Sequence, residues 1–130
     1  MRTVKDVEHI HHILINEFGG SNGIRDINGL EAALARPYAT FDQQELYPTA
    51  VEKAAAIFES IIINHPFIDG NKRTAYVLMK LILFEAELDI VASQDEKYEM
   101  VISASKGEMR FGEIKIWLSS KTRKSNTQIE

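Results

Sequence analysis

Val7, Ile10, Leu14 and Phe18 recur at spacings of three and four, which predicts a helix that packs this face inward. Thr3 and Asp6 have the spacing of an N-terminal cap. Gly19-Gly20 ends the segment, because glycine accepts the left-handed backbone that helix C-termini often use. A shorter second helix is predicted over Asn28 to Arg36. There Asn28 and Glu31 stand in capping-box spacing, Leu30, Ala33 and Leu34 face inward, and Pro37 stops the run. Thr49 and Glu52 open a third helix, Val51 to Asn64, whose Ala54, Ala55, Phe58, Ile61 and Ile62 make a wide apolar surface. From Asn71 to about Glu87 a fourth is apolar on most sides, through Ala75, Val77, Leu78, Met79, Leu81, Ile82, Leu83 and Phe84, the mark of a helix surrounded by others. Ser93 with Glu96 caps a fifth carrying Tyr98, Val101 and Ile102 and closed by Gly107. A sixth, Gly112 to Ser120, places Ile114, Trp117 and Leu118 on one side. The pattern amounts to an all-α fold, a compact irregular bundle of about six helices with the third and fourth as its central pair.

Two stretches break the pattern. Pro37 to Pro48 (PYATFDQQELYP) has neither helical nor strand period and is long for a connection, a length often given to function. Lys121 to Glu130 is polar and aperiodic and is expected to fray. The chain of 130 residues suffices for one hydrophobic core, so residues 1–120 read as a single domain with 121–130 as its tail. Its 45% hydrophobic and 26% charged residues exclude disordered and collagen-like classes. A formal net charge of -4 argues against a protein that coats nucleic acid, so any basic site must be local. No apolar run approaches the roughly 18 to 20 residues a membrane span needs, and the N-terminus has no signal-peptide core. Without cysteine there is neither disulfide nor thiolate chemistry, and the expected compartment is the cytoplasm.

Between the two most apolar helices lies His65-Pro66-Phe67-Ile68-Asp69-Gly70-Asn71-Lys72-Arg73. A turn pinned at both ends by buried helices is a rigid mount, as catalysis requires. Gly70-Asn71 lets the backbone turn sharply as a helix begins, so that successive N–H groups point into one concavity. Such a nest, backed by the partial positive charge of a helix N-terminus, binds anions and suits phosphate. Lys72 and Arg73 add two full positive charges. Asp69 would repel phosphate unless a divalent cation sat between them, and Mg²⁺ takes one or two carboxylates plus phosphate oxygens. His65 brings an imidazole, the side chain best suited to proton abstraction from a hydroxyl. Base, metal ligand, phosphate cradle and counter-charges together describe a group-transfer site. His9, His11 and His12 form a second cluster, and His9 and His12 have i, i+3 spacing. No third ligand accompanies them, so they read as a solvated helix face.

The segment HPFIDGNKR resembles the signature of the Fic/Doc superfamily, and two further stretches resemble its death-on-curing (Doc) branch. These are GGSNGIRDINGLEAALARP near the start and the pattern GE-x-x-x-x-E-I-x-x-W-L from Gly107 to Leu118. The resemblance implies a transferase with His65 as general base, Phe67 as the anchor that buries the loop, and Asp69 as the Mg²⁺ ligand. It also implies Gly70, Asn71 and Lys72 as the anion nest and Arg73 as a contact to the phosphates of ATP. The loop from Pro37 to Pro48 would align a target peptide.

Two departures from the adenylylating members bear on the reaction. Where those read G-N-G-R-x-x-R, this chain has Lys72 in place of the second glycine and Tyr76 in place of the last arginine. A side chain at that position changes how closely phosphate approaches the backbone, and the missing arginine removes a counter-charge. The N-K-R reading resembles Doc, which implies transfer of the terminal phosphate to a Ser or Thr hydroxyl, with a translation factor as the kind of target. Gly70 is the residue of the adenylylating members, and AMP transfer stays open beside it, as does a non-catalytic module that acts through an antitoxin. No inhibitory Ser/Thr-x-x-x-Glu-Gly/Asn motif is present, so the resemblance implies restraint by a separate antitoxin polypeptide.

Overall fold

The structure is a computed structural model that describes residues 1–125; the predicted tail from residue 126 onward lies outside the described residues. In chain order come α1 (Val4–Phe18), α2 (Ile27–Ala35), a 3-10 turn (Arg36–Tyr38), β1 (Thr40–Phe41) and β2 (Gln44–Glu45), then α3 (Ala50–Asn64) and α4 (Asn71–Glu85). They are followed by β3 (Leu88–Ile90), α5 (Gln94–Ser105), α6 (Phe111–Lys121) and β4 (Thr122–Lys124). The fold is the helical bundle the pattern predicts, with α3 and α4 as the central pair.

α3 starts where Thr49 accepts from the Glu52 N–H while the Glu52 carboxylate accepts from the Thr49 N–H, the reciprocal box read from the sequence. It buries Ala54, Ala55, Ala56, Phe58 and Ile61 completely, and each large side chain so removed from water contributes about 1.5–3 kcal/mol. Opposite, α4 buries Ala75, Leu78, Met79 and Leu83, while α6 closes the core with Ile114 and Leu118. Phe84 lies on the outer side of α4 and is exposed.

In the middle of α3 sits a buried acid, Glu59. One oxygen accepts from Arg36 Nη1 at 2.8 Å; the other accepts from Arg110 Nε and from the Phe111 N–H, both at 2.9 Å. Burial alone would raise this carboxyl, but the donors from Arg36, Arg110 and Phe111 outweigh it and hold it below the ordinary glutamate range. The network ties the 3-10 turn and the start of α6 to the central helix. Arg36 also lies over the rings of Tyr47 and Phe111.

Some local expectations change. α2 is capped by Asp26, whose side chain accepts from the Gly29 N–H, and not by Asn28. The buried face of α1 is Val7, His11 and Ile15, a strict spacing of four, so Ile10 and Leu14 are only half-buried and Phe18 is exposed. The stretch 37–48 holds the last two residues of the 3-10 turn and a short hairpin, with Thr40 opposite Glu45 and Phe41 opposite Gln44. Residues 122–124, predicted to fray, form β4 and pair antiparallel with β3, Asp89 opposite Arg123. Among the described residues no helix is long and apolar enough to cross a membrane.

Candidate functional site

α3 ends at His65, whose backbone is left-handed (φ 48°, ψ 54°) and whose N–H still reaches the Ile61 carbonyl. A side chain bearing a Cβ rarely adopts that conformation and holds it only when its surroundings impose it. The clamp comes from the segment that links α1 to α2. Arg25 donates from Nε to the His65 carbonyl at 2.8 Å and from Nη2 to the Asn64 carbonyl at 2.7 Å, a cation placed where a helix leaves its last carbonyls unpaired. The N–H groups of Arg25 and Asp26 both donate to the Pro66 carbonyl, and the Ile68 N–H donates to the Gly23 carbonyl. Ile24 and Phe67 thereby form an antiparallel bridge. GGSNGIRD, read from the sequence as a helix end and a loop, is a strap along the site loop.

The strap also meets Asp69. The Ser21 N–H donates to Asp69 Oδ2 at 3.2 Å, and the Gly70 N–H donates to Oδ1 at 2.9 Å. A Cβ on Gly20 would stand 2.7 Å from Asp69 Oδ2, on a backbone at φ +114° that L side chains rarely adopt. Gly20→Ala should therefore destabilise the fold by about 1–3 kcal/mol and displace the carboxylate. Chemical denaturation of the variant checks this, and an unchanged midpoint would contradict the close approach.

Inside the loop the Asn71 side chain is fully engaged. Its Oδ1 accepts from the Phe67 N–H at 2.9 Å, and its Nδ2 donates to the Phe67 carbonyl at 2.9 Å and to His65 Nδ1 at 3.1 Å. The two bonds to Phe67 backbone groups fix which end of the amide carries hydrogen, so Nδ1 of His65 is the acceptor. The expectation that Asn71 serves the anion nest is thus narrowed to its backbone N–H; its side chain closes the loop on itself and orients the imidazole.

Phe67 is buried, as the resemblance implies, and its ring stacks on His11 with centroids 3.9 Å apart and planes 6° from parallel. His11 is buried too, and its Nε2 donates to the Asp69 carbonyl at 2.7 Å. Neither His11 nor Arg25 stood among the residues expected at the site. For His11 the signal was present: it lies midway between Val7 and Ile15 in a four-residue spacing, a polar side chain on what proves to be the buried face. His12 is committed elsewhere, with Nδ1 against Asn22 Oδ1 and Nε2 against Asn16 Nδ2. Among the described residues no group of three His, Cys, Asp or Glu side chains could hold a metal by itself.

Gly70 takes the left-handed turn (φ 76°, ψ 19°) that opens α4, and no side chain caps this helix. The N–H groups of Asn71, Lys72 and Arg73 precede the first bond of the helix, Thr74 N–H to the Gly70 carbonyl, and point out of its end. The same residues line a cavity of about 490 Å³, with Asp69 to Arg73 joined by Tyr76 and Val77 of α4 and by Gln94, Lys97, Tyr98, Val101 and Ile102 of α5. The guanidinium of Arg73 lies 4.1 Å over the ring of the exposed Phe18. His65 is exposed and stands outside this lining, tied to it through Asn71. The structure thus brings Asp69 through Arg73 to one cavity and holds His65 at the other end of the same loop.

A larger, open hollow of about 610 Å³ runs beside α1, lined by Lys5, Glu8, His9, His12 and Asn22 among others. Among the described residues it gathers no group of three potential metal ligands, and Asp69 to Arg73 converge on the smaller cavity.

Comparison with known proteins gives the same assignment. The model of the Fic/DOC family matches residues 2–83. Toxin Doc of Mycolicibacterium smegmatis is 49% identical over 59 residues, 45% of this chain and 45% of that protein. Protein adenylyltransferase Fic of Nematostella vectensis is 38% identical over 73 residues, 53% of this chain and 17% of that protein. The chain therefore spans less than half the length of either relative.

Proposed function

The chain belongs to the Fic/DOC family, and from that premise we propose that it transfers the terminal phosphate of ATP to a Ser or Thr hydroxyl of a protein, as the toxin of a toxin-antitoxin pair. The observation that carries this reading is the uncapped start of α4, whose residues Asn71, Lys72 and Arg73 line a cavity of about 490 Å³. A cavity of that size suits a nucleotide, and three N–H donors with two cations offset oligophosphate charge.

Asp69 fits a single carboxylate ligand of Mg²⁺. It lies on the cavity rim, and each of its oxygens accepts one backbone N–H and keeps a further lone pair. Bound there with ATP, Mg²⁺ would supply charge neutralisation between the carboxylate and the phosphates. The rest falls to the chain's own residues. His65 takes the proton of the target hydroxyl as its oxygen bonds to the terminal phosphorus; the bond from that phosphorus to the bridging oxygen breaks, and ADP leaves. In the resting loop Nδ1 accepts from Asn71 and the neutral ring carries its proton on Nε2. Presenting Nδ1 as a base therefore means releasing one hydrogen bond, a step of about 1 kcal/mol that an exposed ring can make.

The choice of phosphorus rests on two residues. Lys72 stands where the adenylylating pattern has glycine, and Tyr76, half-buried on the cavity wall, stands where it has a second arginine. AMP transfer is the second reading, favoured by Gly70 and by the likeness to an adenylyltransferase. Incubation of candidate targets, translation factors first, with ATP labelled at the alpha or the gamma phosphate separates them. Retention of the gamma label on protein is expected; retention of the alpha label instead would replace kinase by adenylyltransferase. Retention of neither, with no Mg²⁺-dependent ATP binding by calorimetry, would leave a binding module. Restraint by a separate antitoxin chain and a cytoplasmic setting belong to the same proposal.

A further inference from the structure

His11 is a buried titratable side chain that the proposed chemistry does not use, and its two contacts are both to the site loop. Its flat face covers Phe67 and its edge donates to the Asp69 carbonyl at 2.7 Å. A trans peptide holds its C=O and its N–H on opposite sides. Drawing the Asp69 carbonyl inward to His11 therefore turns the Gly70 N–H outward, where Asp69 Oδ1 receives it at 2.9 Å. One hydrogen bond from α1 thus sets the plane of the peptide from which both the Asp69 carboxylate and the turn at Gly70 follow. An apolar residue would fill this position on the buried face of α1 equally well, but would leave the carbonyl without a donor. Thr74 and Asn71 are the other buried polar side chains of this region: Asn71 has no hydrogen left to give, and the Thr74 hydroxyl has no partner and makes no bond to this carbonyl.

We infer that His11 is a positioning residue for group transfer: through its Nε2–H it fixes the Asp69–Gly70 peptide, and with it the carboxylate and the mouth of the phosphate cradle. The inference rests on the transferase reading for its effect on rate, and on geometry alone for its effect on the loop.

Two variants of the full chain separate donor from filler. His11→Phe keeps a flat ring against Phe67 and loses the N–H, whereas His11→Gln keeps an N–H donor at a similar reach and loses the ring. If the donor positions the loop, His11→Phe should transfer phosphate about tenfold more slowly than the unmodified chain, the rate equivalent of one hydrogen bond. Its amide hydrogens at 66–71 should exchange faster, with His11→Gln nearer the unmodified chain in both measurements. The opposite ranking, or equal values, would reduce His11 to packing and overturn the inference. Should His11→Phe fail to fold, His11→Gln against His11→Leu asks the same question with the ring absent from both. Exchange is measured without nucleotide. If the unmodified chain transfers nothing, the transferase reading falls, and the ranking by exchange still decides for or against His11.

Discussion

Replacing His65 with Ala lowers the rate of group transfer by about 10²- to 10⁴-fold, the usual worth of a positioned general base, and leaves the thermal unfolding midpoint nearly unchanged. The stability half of this expectation follows from where the side chain sits. The ring is exposed, so no apolar contact of weight is lost. The left-handed backbone at this position is only slightly harder for Ala than for His, and it is imposed by Arg25 and by the strap, both of which remain. The Asn71 N–H that faced Nδ1 turns to water, while its other two bonds to Phe67 persist. A steady-state assay with labelled ATP beside a thermal melt checks both halves. ATP binding should survive, because the cavity lining does not include His65. An unchanged rate would remove His65 from the chemistry; a lost fold would show that the imidazole supports the loop and does not merely stand on it.

The fold was legible where one face of a helix carries the whole signal. The reciprocal caps Thr3–Asp6, Thr49–Glu52 and Ser93–Glu96 all occur as the spacing predicts, because a cap is a contact between residues three apart and needs nothing from the rest of the chain. One reading of the same spacing fails, Asn28–Glu31, where Asp26 caps α2 instead; the other failures depend on a distant partner. The polar residues 122–124 gave no strand pattern, and they are a strand only because β3 offers an edge and the Ser125 N–H finds the Glu87 carbonyl. The buried face of α1 lies one residue on from its apolar spacing, because stacking on Phe67 and a carbonyl partner make the polar His11 an interior residue.

For the site, residues 65–73 were legible because turn geometry, charge and a helix start coincide in one short run. The strap was not: Arg25 acts on carbonyls at the end of a helix forty residues away in sequence, and an exposed arginine carries no mark of that. The buried character of the Asn71 side chain was equally hidden, since asparagine is an ordinary turn residue and only the structure shows all its hydrogens spent inward.

Glu59→Ala is expected to destabilise the fold by about 3 kcal/mol, the lower end of what removing one partner of a buried ion pair costs. The lower end applies because the Arg36 side chain keeps 28% of its exposure and that of Arg110 keeps 62%, so each cation regains water once the carboxylate is gone. What remains uncompensated is the Phe111 N–H at the start of α6 and the desolvated part of Arg36, and the anchoring of both elements to α3. The same network makes stability depend on pH. Since the Glu59 carboxyl is held below its ordinary value of 4.5 in the folded chain, its contribution is fully present above that pH and is lost as pH falls through the lowered value. Urea denaturation at pH 7, 5 and 3.5 should show the unmodified chain losing stability mainly at the last step, and Glu59→Gln losing less over the same interval. Parallel curves for the two proteins would place the acid sensitivity in the exposed carboxylates Asp6 and Glu96 and the half-buried Glu52, whose values are also lowered, and would leave Glu59 a spacer between two arginines.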